Sequence, residues 1–363
     1  MIDDISIPLR ENESLTPSGI SGDRQLLRRL AAHCHAYKSP DTRRALFQLA
    51  TTAGLFFGAL GLMLAAFHHG VYWGCVLLAP LAALLLVRLF IIQHDCGHGS
   101  FFPSRRANDW AGRAISVFTF TPYGFWRTAH NMHHAGSGDL DRRGIGSIDT
   151  LTVKEYQALP AKKRLAYRLY RNPFFLLGLA VPFNTFIGQR IPSTQSASFL
   201  EKYPCVPDAV ARRSIHALNA ALVVFYGLAA LAFGWAPLLV LYVPVVILTS
   251  WAGGWLFFIQ HQFERAHWKR TQDWNFSEAA VMGSSYYVLP RVLHWFTGNI
   301  GLHHIHHLCS LIPNYRLQQC LKDSPELQGM NRLTLWESLK CTRWSLWDED
   351  LSKMVAFSDL KTA

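Results

Sequence analysis

Charge is scarce in this sequence: Asp, Glu, Lys and Arg make up 16% of the 363 residues, against 50% for the apolar and aromatic types. A chain this apolar has ample surface to bury, which excludes an intrinsically disordered segment. Cysteine is scarce as well, at seven, an odd number and too few for a disulfide-built secreted scaffold. There is no Gly-X-Y period, no Gly-x-Gly-x-x-Gly turn, no cysteine-rich cluster motif and no low-complexity tract. Collagen-like, dinucleotide-binding and iron–sulfur readings therefore have no support. Acidic residues are outnumbered by basic ones, 24 to 35, for a net charge of +11. Such an excess suits nucleic acid, an anionic membrane face or an acidic partner protein. Where charge is missing decides among these.

Four stretches lack it almost completely. Ala45–Phe67, Ala217–Trp235 and Leu238–Ile259 carry none, and Val71–Ile92 carries only Arg88. Each approaches the ~20 residues a helix needs to cross a ~30 Å hydrocarbon core. His68-His69-Gly70 and Ala236-Pro237 join them into two hairpins, and neither turn holds Lys or Arg. The arm before the first run does (Arg10, Arg24, Arg28, Arg29, Lys38, Arg43, Arg44), as does the middle segment (Arg105, Arg106, Arg142, Arg143, Lys162, Lys163, Arg164). The positive-inside rule places both termini and the middle segment in the cytoplasm. Arg88, near that end of its span, is expected to snorkel. Topology and anionic lipid thus account for the basic excess, and no nucleic-acid partner is expected. Two shorter stretches, 114–125 and 173–188, are broken by Pro or Gly and read as interfacial or partly embedded helices. The first 44 residues are polar and show no cleavable signal peptide. The expected architecture is an all-α integral membrane protein of four spans with a cytoplasmic helical cap. Its parts are an arm (1–44), an embedded domain (45–320) and a C-terminal segment (321–363), with thiols reduced.

The chain holds 17 histidines, and they cluster. His94-Asp95-Cys96-Gly97-His98 follows the second span, with imidazoles at i and i+4 on one helix face. His130-Asn131-Met132-His133-His134 and His303-His304-Ile305-His306-His307 both contain HxxHH, whose three imidazoles form one helical stripe able to converge on metal. These eight exceed what one six-coordinate ion can use with a position left open, so two metals sharing them is the economical reading. Imidazole suits Fe, Zn, Cu and Ni alike, which leaves the ion unnamed. His261, in Gln260-His261-Gln262, ends the fourth span at the depth of His94 and would tie both hairpins to one centre. His304 lies about 100° off its stripe and reads as packing. His33, His35, His68, His69, His216, His267 and His294 read as ordinary histidines.

The segments HDCGHGSFF (His94–Phe102), HNMHHAGSGDLD (His130–Asp141) and GNIGLHHIHHL (Gly298–Leu308) resemble the three histidine boxes of membrane fatty acid desaturases, closest to the bacterial acyl-lipid Δ12/ω-type branch. The resemblance implies a non-haem di-iron centre with His94, His98, His130, His133, His134, His303, His306 and His307 as ligands, and His261 as the further ligand from the last span. Asp95 is expected to orient a ligand imidazole, and Asn299, one helical turn before His303, to contact a metal-bound water. Asp139 and Asp141, after the second box, read equally as turn or helix-cap residues and as supports of the ligand imidazoles. The implied reaction draws two vicinal hydrogens from an acyl chain, with O2 as co-substrate and two electrons from a separate ferredoxin-type donor. No side chain can oxidise such a C–H bond, so the metals carry the chemistry. The implied location is a bacterial inner membrane with the site facing the cytoplasm. The aromatic residues near the boxes, including Trp126 and Phe257, read mainly as interfacial anchors or packing. A hydroxylase or ketolase on the same scaffold is the near rival. A haem cytochrome would need histidines within the spans, and a metal transporter ionisable groups at mid-depth.

Overall fold

The structure, a computed structural model, describes residues 23–144, 146–191, 199 and 206–360. The first 22 residues of the expected basic arm, Arg10 among them, lie outside the described residues. Helix α1 (Arg24–His35) opens on Asp23, whose carboxylate accepts from the Gln25 and Leu26 amides. Then come α2 (Thr42–His68), α3 (Tyr72–His98), α4 (Arg105–Thr119), α5 (Tyr123–Gly136), α6 (Val153–Ala158) and α7 (Ala161–Tyr170). A π-helical stretch, Phe174–Ala180, runs into α8 (Val181–Phe186). Helices α9 (Asp208–Phe233) and α10 (Trp235–His261) form the second long pair. The cap closes with α11 (Phe276–Met282), α12 (Arg291–Phe296), α13 (His303–Leu308), α14 (Asn314–Lys322), α15 (Pro325–Gly329) and α16 (Leu335–Lys340).

Among the described residues four helices, α2, α3, α9 and α10, are long and apolar enough to cross a membrane. Buried residues make up 61% of the apolar window of α3 but only 17–33% of the others, so α3 is the central post. It packs on α2, α4 and α10. At 27 residues each, α3 and α10 are about 40 Å long. They outrun the ~30 Å hydrocarbon core by about two turns, and those turns carry His94, His98 and His261.

Several expectations need correcting. The second hairpin turns at Gly234 (φ +83°), not at Ala236-Pro237; Trp235 starts the next helix and Pro237 lies in its first turn, where a missing N–H costs nothing. The 114–125 stretch is no single interfacial helix. It breaks after Thr119, Phe120 is left-handed (φ +56°), and Pro122 precedes α5. Arg88 does not snorkel. It is buried, its guanidinium lies 4.2 Å from the Trp295 ring centroid, and it donates to Thr52 Oγ1 (3.2 Å) and the Trp295 carbonyl. The cap helix α12 brings Trp295 and the neighbouring span α2 brings Thr52, so the cation need not reach for water. The expected all-α cap also contains short strands. β1 (Tyr286–Tyr287) pairs in parallel with β2 (Arg332–Leu333), and β3 (Leu346–Asp348) runs antiparallel to β4 (Lys353–Val355).

Candidate metal centre

Each histidine segment stops where its last imidazole is needed. Helix α3 ends on His98 because Gly99 adopts φ +72°, and its amide caps the Asp95 and Cys96 carbonyls. Box two fills the last turns of α5, and box three makes up nearly all of α13. Consecutive left-handed residues, Gly298 (φ +53°) and Asn299 (φ +57°), turn the chain sharply before α13. A side chain at Gly298 would run into Ile91 on α3, 2.7 Å away, so glycine permits this close approach.

The nine histidines singled out from the sequence meet in two groups. His94, His98, His130, His134 and His306 form one; His133, His261, His303 and His307 form the other. Within each group, nitrogen atoms lie within 4.8 Å of one another. The three imidazoles of each HxxHH therefore do not converge on one point, contrary to the expectation from spacing alone. In each box the i and i+4 imidazoles go to one group and the i+3 imidazole to the other. His130 and His134 sit apart from His133, and His303 and His307 apart from His306. Positions i and i+4 are only about 40° apart around a helix, while i+3 falls about 60° to the other side. The two groups abut through stacked His134 and His307 rings, 4.0 Å between centroids.

Hydrogen bonding sets the tautomers. The His94 Nδ1 lies 3.1 Å from Asp95 Oδ1, and the His261 Nδ1 lies 3.1 Å from the Gly283 carbonyl. Both partners only accept, so the proton is on Nδ1 and the Nε2 lone pair faces the group. His133 Nε2 and His303 Nε2 lie 3.1 and 3.0 Å from His261 Nε2, and His130 and His306 Nε2 each lie 3.1 Å from His134 Nε2. Among the described residues, His98 Nε2 and His307 Nε2 are buried without a hydrogen-bond partner. Burial first, and then the neighbouring imidazoles, holds His130, His133, His134, His303, His306 and His307 well below the ordinary histidine range. Neutral, converging and partnerless nitrogens are costly to bury. They fit a pair of borderline first-row cations, which need deprotonated imidazoles.

The remaining sequence candidates fall into place around them. Asp95 contacts His94 as expected and also accepts from Asn314 N (2.6 Å) and Nδ2 (2.8 Å). Asn299 is not in a helical turn before His303; its amide nitrogen donates to the Asn314 carbonyl at 3.1 Å. Asp139 and Asp141 organise the turn after box two, bonding Thr271, Arg142 and Arg270. His304 belongs to neither group and reaches the Leu327 carbonyl at 3.0 Å. Sequence reasoning missed Asn314 and the Gln48 side chain bonded to it at 2.8 Å, because no spacing signal marks either. It also gave Trp126 no role at the site. That ring stacks on His130 at 4.7 Å (14° between planes), with Gly97 leaving room for it.

The family model described as fatty acid desaturase matches residues 68–338, about three quarters of the chain and all nine histidines. The chain belongs to the fatty acid desaturase family. It is 38% identical to a fatty acid desaturase of Bacillus subtilis, over 92% of each chain. It is 30% identical to an sn-1 acyl-lipid omega-3 desaturase (ferredoxin) of a Synechocystis strain, over 76% of this chain and 75% of that one. An Arabidopsis thaliana acyl-lipid omega-3 desaturase (cytochrome b5) is 28% identical over 66% of this chain. The desaturase match starts at the first hairpin turn and ends within α16, spanning both histidine groups.

Proposed function

We propose that this desaturase introduces a cis double bond into a lipid-linked fatty acyl chain. The nine histidines above hold two non-haem irons, five on one and four on the other. The iron pair supplies the oxidising power of O2 that no side chain has. The balance is one –CH2–CH2– unit, O2, two electrons and two protons giving –CH=CH– and two waters. The chain's own part is placement. Asp95 and the Gly283 carbonyl fix two imidazole tautomers, the close-packed cap keeps bulk water from the imidazoles, and the spans bring them beside the acyl layer. A ferredoxin-type protein supplies the electrons, a reading supported by the Synechocystis relative, a ferredoxin desaturase. Basic residues of the arm and middle segment support a cytoplasmic site in a bacterial inner membrane.

The observation that carries this reading is nine imidazoles, eight buried and His98 half-buried, converging at the ends of two membrane-length helices. Expression in a host lacking polyunsaturated lipids, followed by fatty-acid profiling by mass, tests it. A new acyl species lighter by two hydrogens is expected. A species heavier by one oxygen would assign the scaffold to hydroxylation instead.

A further inference from the structure

Outside the four spans, two short cap helices expose large apolar side chains. On α16, Leu335, Leu339 and Trp336 fall within an arc of about 100°; all three are exposed, Trp336 at 80%. Ser338 on the inner side meets the Tyr287 hydroxyl at 3.2 Å. On α12, Val292 and Trp295, one turn apart, are exposed as well. Arg291, Arg332, Lys340 and Arg343 flank these faces and are exposed.

Both helices are anchored at one depth. Arg88 on α3 holds Trp295, and Trp255 on α10 donates to the Tyr287 hydroxyl (3.4 Å) that meets α16. Arg88 stands six residues before His94, and Trp255 six before His261. Each anchor is therefore about 9 Å toward the membrane from the metal-site histidines. Tryptophan with aliphatic neighbours and flanking cations is the composition of a bilayer interface.

We propose that α12 and α16 are the feet of the cap, docked on an anionic phospholipid surface beside the paired spans α3 and α10. The occupant is the bilayer interface, because both helices are anchored to the spans membrane-ward of the metal-site histidines and carry exposed cations beside their apolar faces. The two helices thereby seat the metal site against the acyl layer. The inference rests on the membrane reading and is independent of the reaction catalysed.

The test uses the full chain in nanodiscs of phosphatidylcholine and phosphatidylglycerol. A polarity-sensitive fluorophore is attached at Trp336→Cys, Val292→Cys, Glu337→Cys or Leu231→Cys. The described native cysteines are buried, and unsubstituted protein gives the background. Leu231 on α9 is 86% exposed and marks the membrane itself. Labels at 336 and 292 should be blue-shifted and quenched at least threefold more by lipids bearing a shallow nitroxide than the label at 337. Equal, solvent-like signals at 336 and 337 overturn the proposal, as does shielding that scales with protein concentration and so reports a second copy. Lack of quenching at 231 would instead overturn the membrane reading.

Discussion

Replacing Asn314 with alanine should loosen metal at the five-histidine group without touching any ligand. Asn314 Nδ2 donates to Asp95 Oδ2 at 2.8 Å, and the other oxygen of Asp95 faces His94 Nδ1 at 3.1 Å. Removing a hydrogen bond to a carboxylate costs about 1.5–3 kcal/mol. The change also strips the partner from Gln48 Nε2, buried in α2 and bonded to Asn314 Oδ1, for about 1–3 kcal/mol more. Partial relaxation leaves an expected stability loss of about 3 kcal/mol. The metal effect is smaller than a full loss of support, because the Asn314 backbone amide still holds Asp95 Oδ2 at 2.6 Å. Groups that orient a ligand imidazole are typically worth 10–100-fold in affinity, so a loss of about tenfold is expected.

Equilibrium competition for Fe2+ or Co2+ against a chromophoric chelator, on the detergent-solubilised chain, measures this. Gln48→Met is the control. It breaks the far link of the chain and leaves Asp95 and Asn314 in contact, so it should lower the melting temperature and leave metal affinity within about twofold. If Asn314→Ala binds metal as tightly as the unaltered chain, or Gln48→Met loses as much affinity, then Asn314 only fills space and the argued link to His94 is wrong.

His133→Ala should abolish desaturation and lower bound iron while the protein still inserts; elemental analysis of the purified variant checks it, and His261→Ala should leave about one ion per chain. Gly97→Ala should destabilise by about 1–3 kcal/mol, because the added methyl would lie 2.7 Å from Trp126 Cζ3, and should push that ring off His130; Trp emission and metal content report both effects. Burial lowers His304 from the usual 6.5 to about 4, so the unfolded chain takes up this proton first. Stability is then full above pH 6.5 and falls as pH drops toward 4, by about 1.4 kcal/mol for this group between pH 7.5 and 5.5. Metal-free His304→Gln protein should lose that much less stability over the same pH range in a thermal shift series.

The spans were legible because a run of some 20 residues without charge has few other stable homes, and the boxes because i, i+4 spacing is itself a statement about one helix face. How the boxes divide was not legible. Whether His133 joins His130 or His261 depends on how α5 and α13 are set against α3 and α10, through remote contacts such as Gly97 against Trp126 and Gly298 against Ile91. Arg88 was misread for a related reason. Its sequence neighbourhood offers only lipid and water, while its real partner, Trp295, lies 207 residues away. Asn314 carries no signal of its own, since a single asparagine after a proline reads as a turn. The second hairpin was misplaced by a few residues because Pro237 looks like a turn residue and is equally at home in the first turn of a helix.

The division of the boxes has a consequence for loading. Box one serves only the five-histidine group and His261 only the four-histidine group, but α5 and α13 each serve both. An ion entering either group must fix the rotation of α5 and α13, and that fixes the imidazoles they offer to the other group. The second ion therefore meets a site whose ordering cost has largely been met by the first, which is positive cooperativity without any contact between the ions. The stacked His134 and His307 rings, one from each group, strengthen this coupling. Native mass spectrometry during a metal titration should show mainly empty and doubly loaded chains, with the singly loaded species well under the half share expected at half saturation for equal, independent sites. His98→Ala, which weakens only the five-histidine group, should restore a prominent singly loaded species. Statistical loading in the unaltered chain would mean that α5 and α13 are already rigid before metal arrives, and that the two groups are neighbours in space without being coupled.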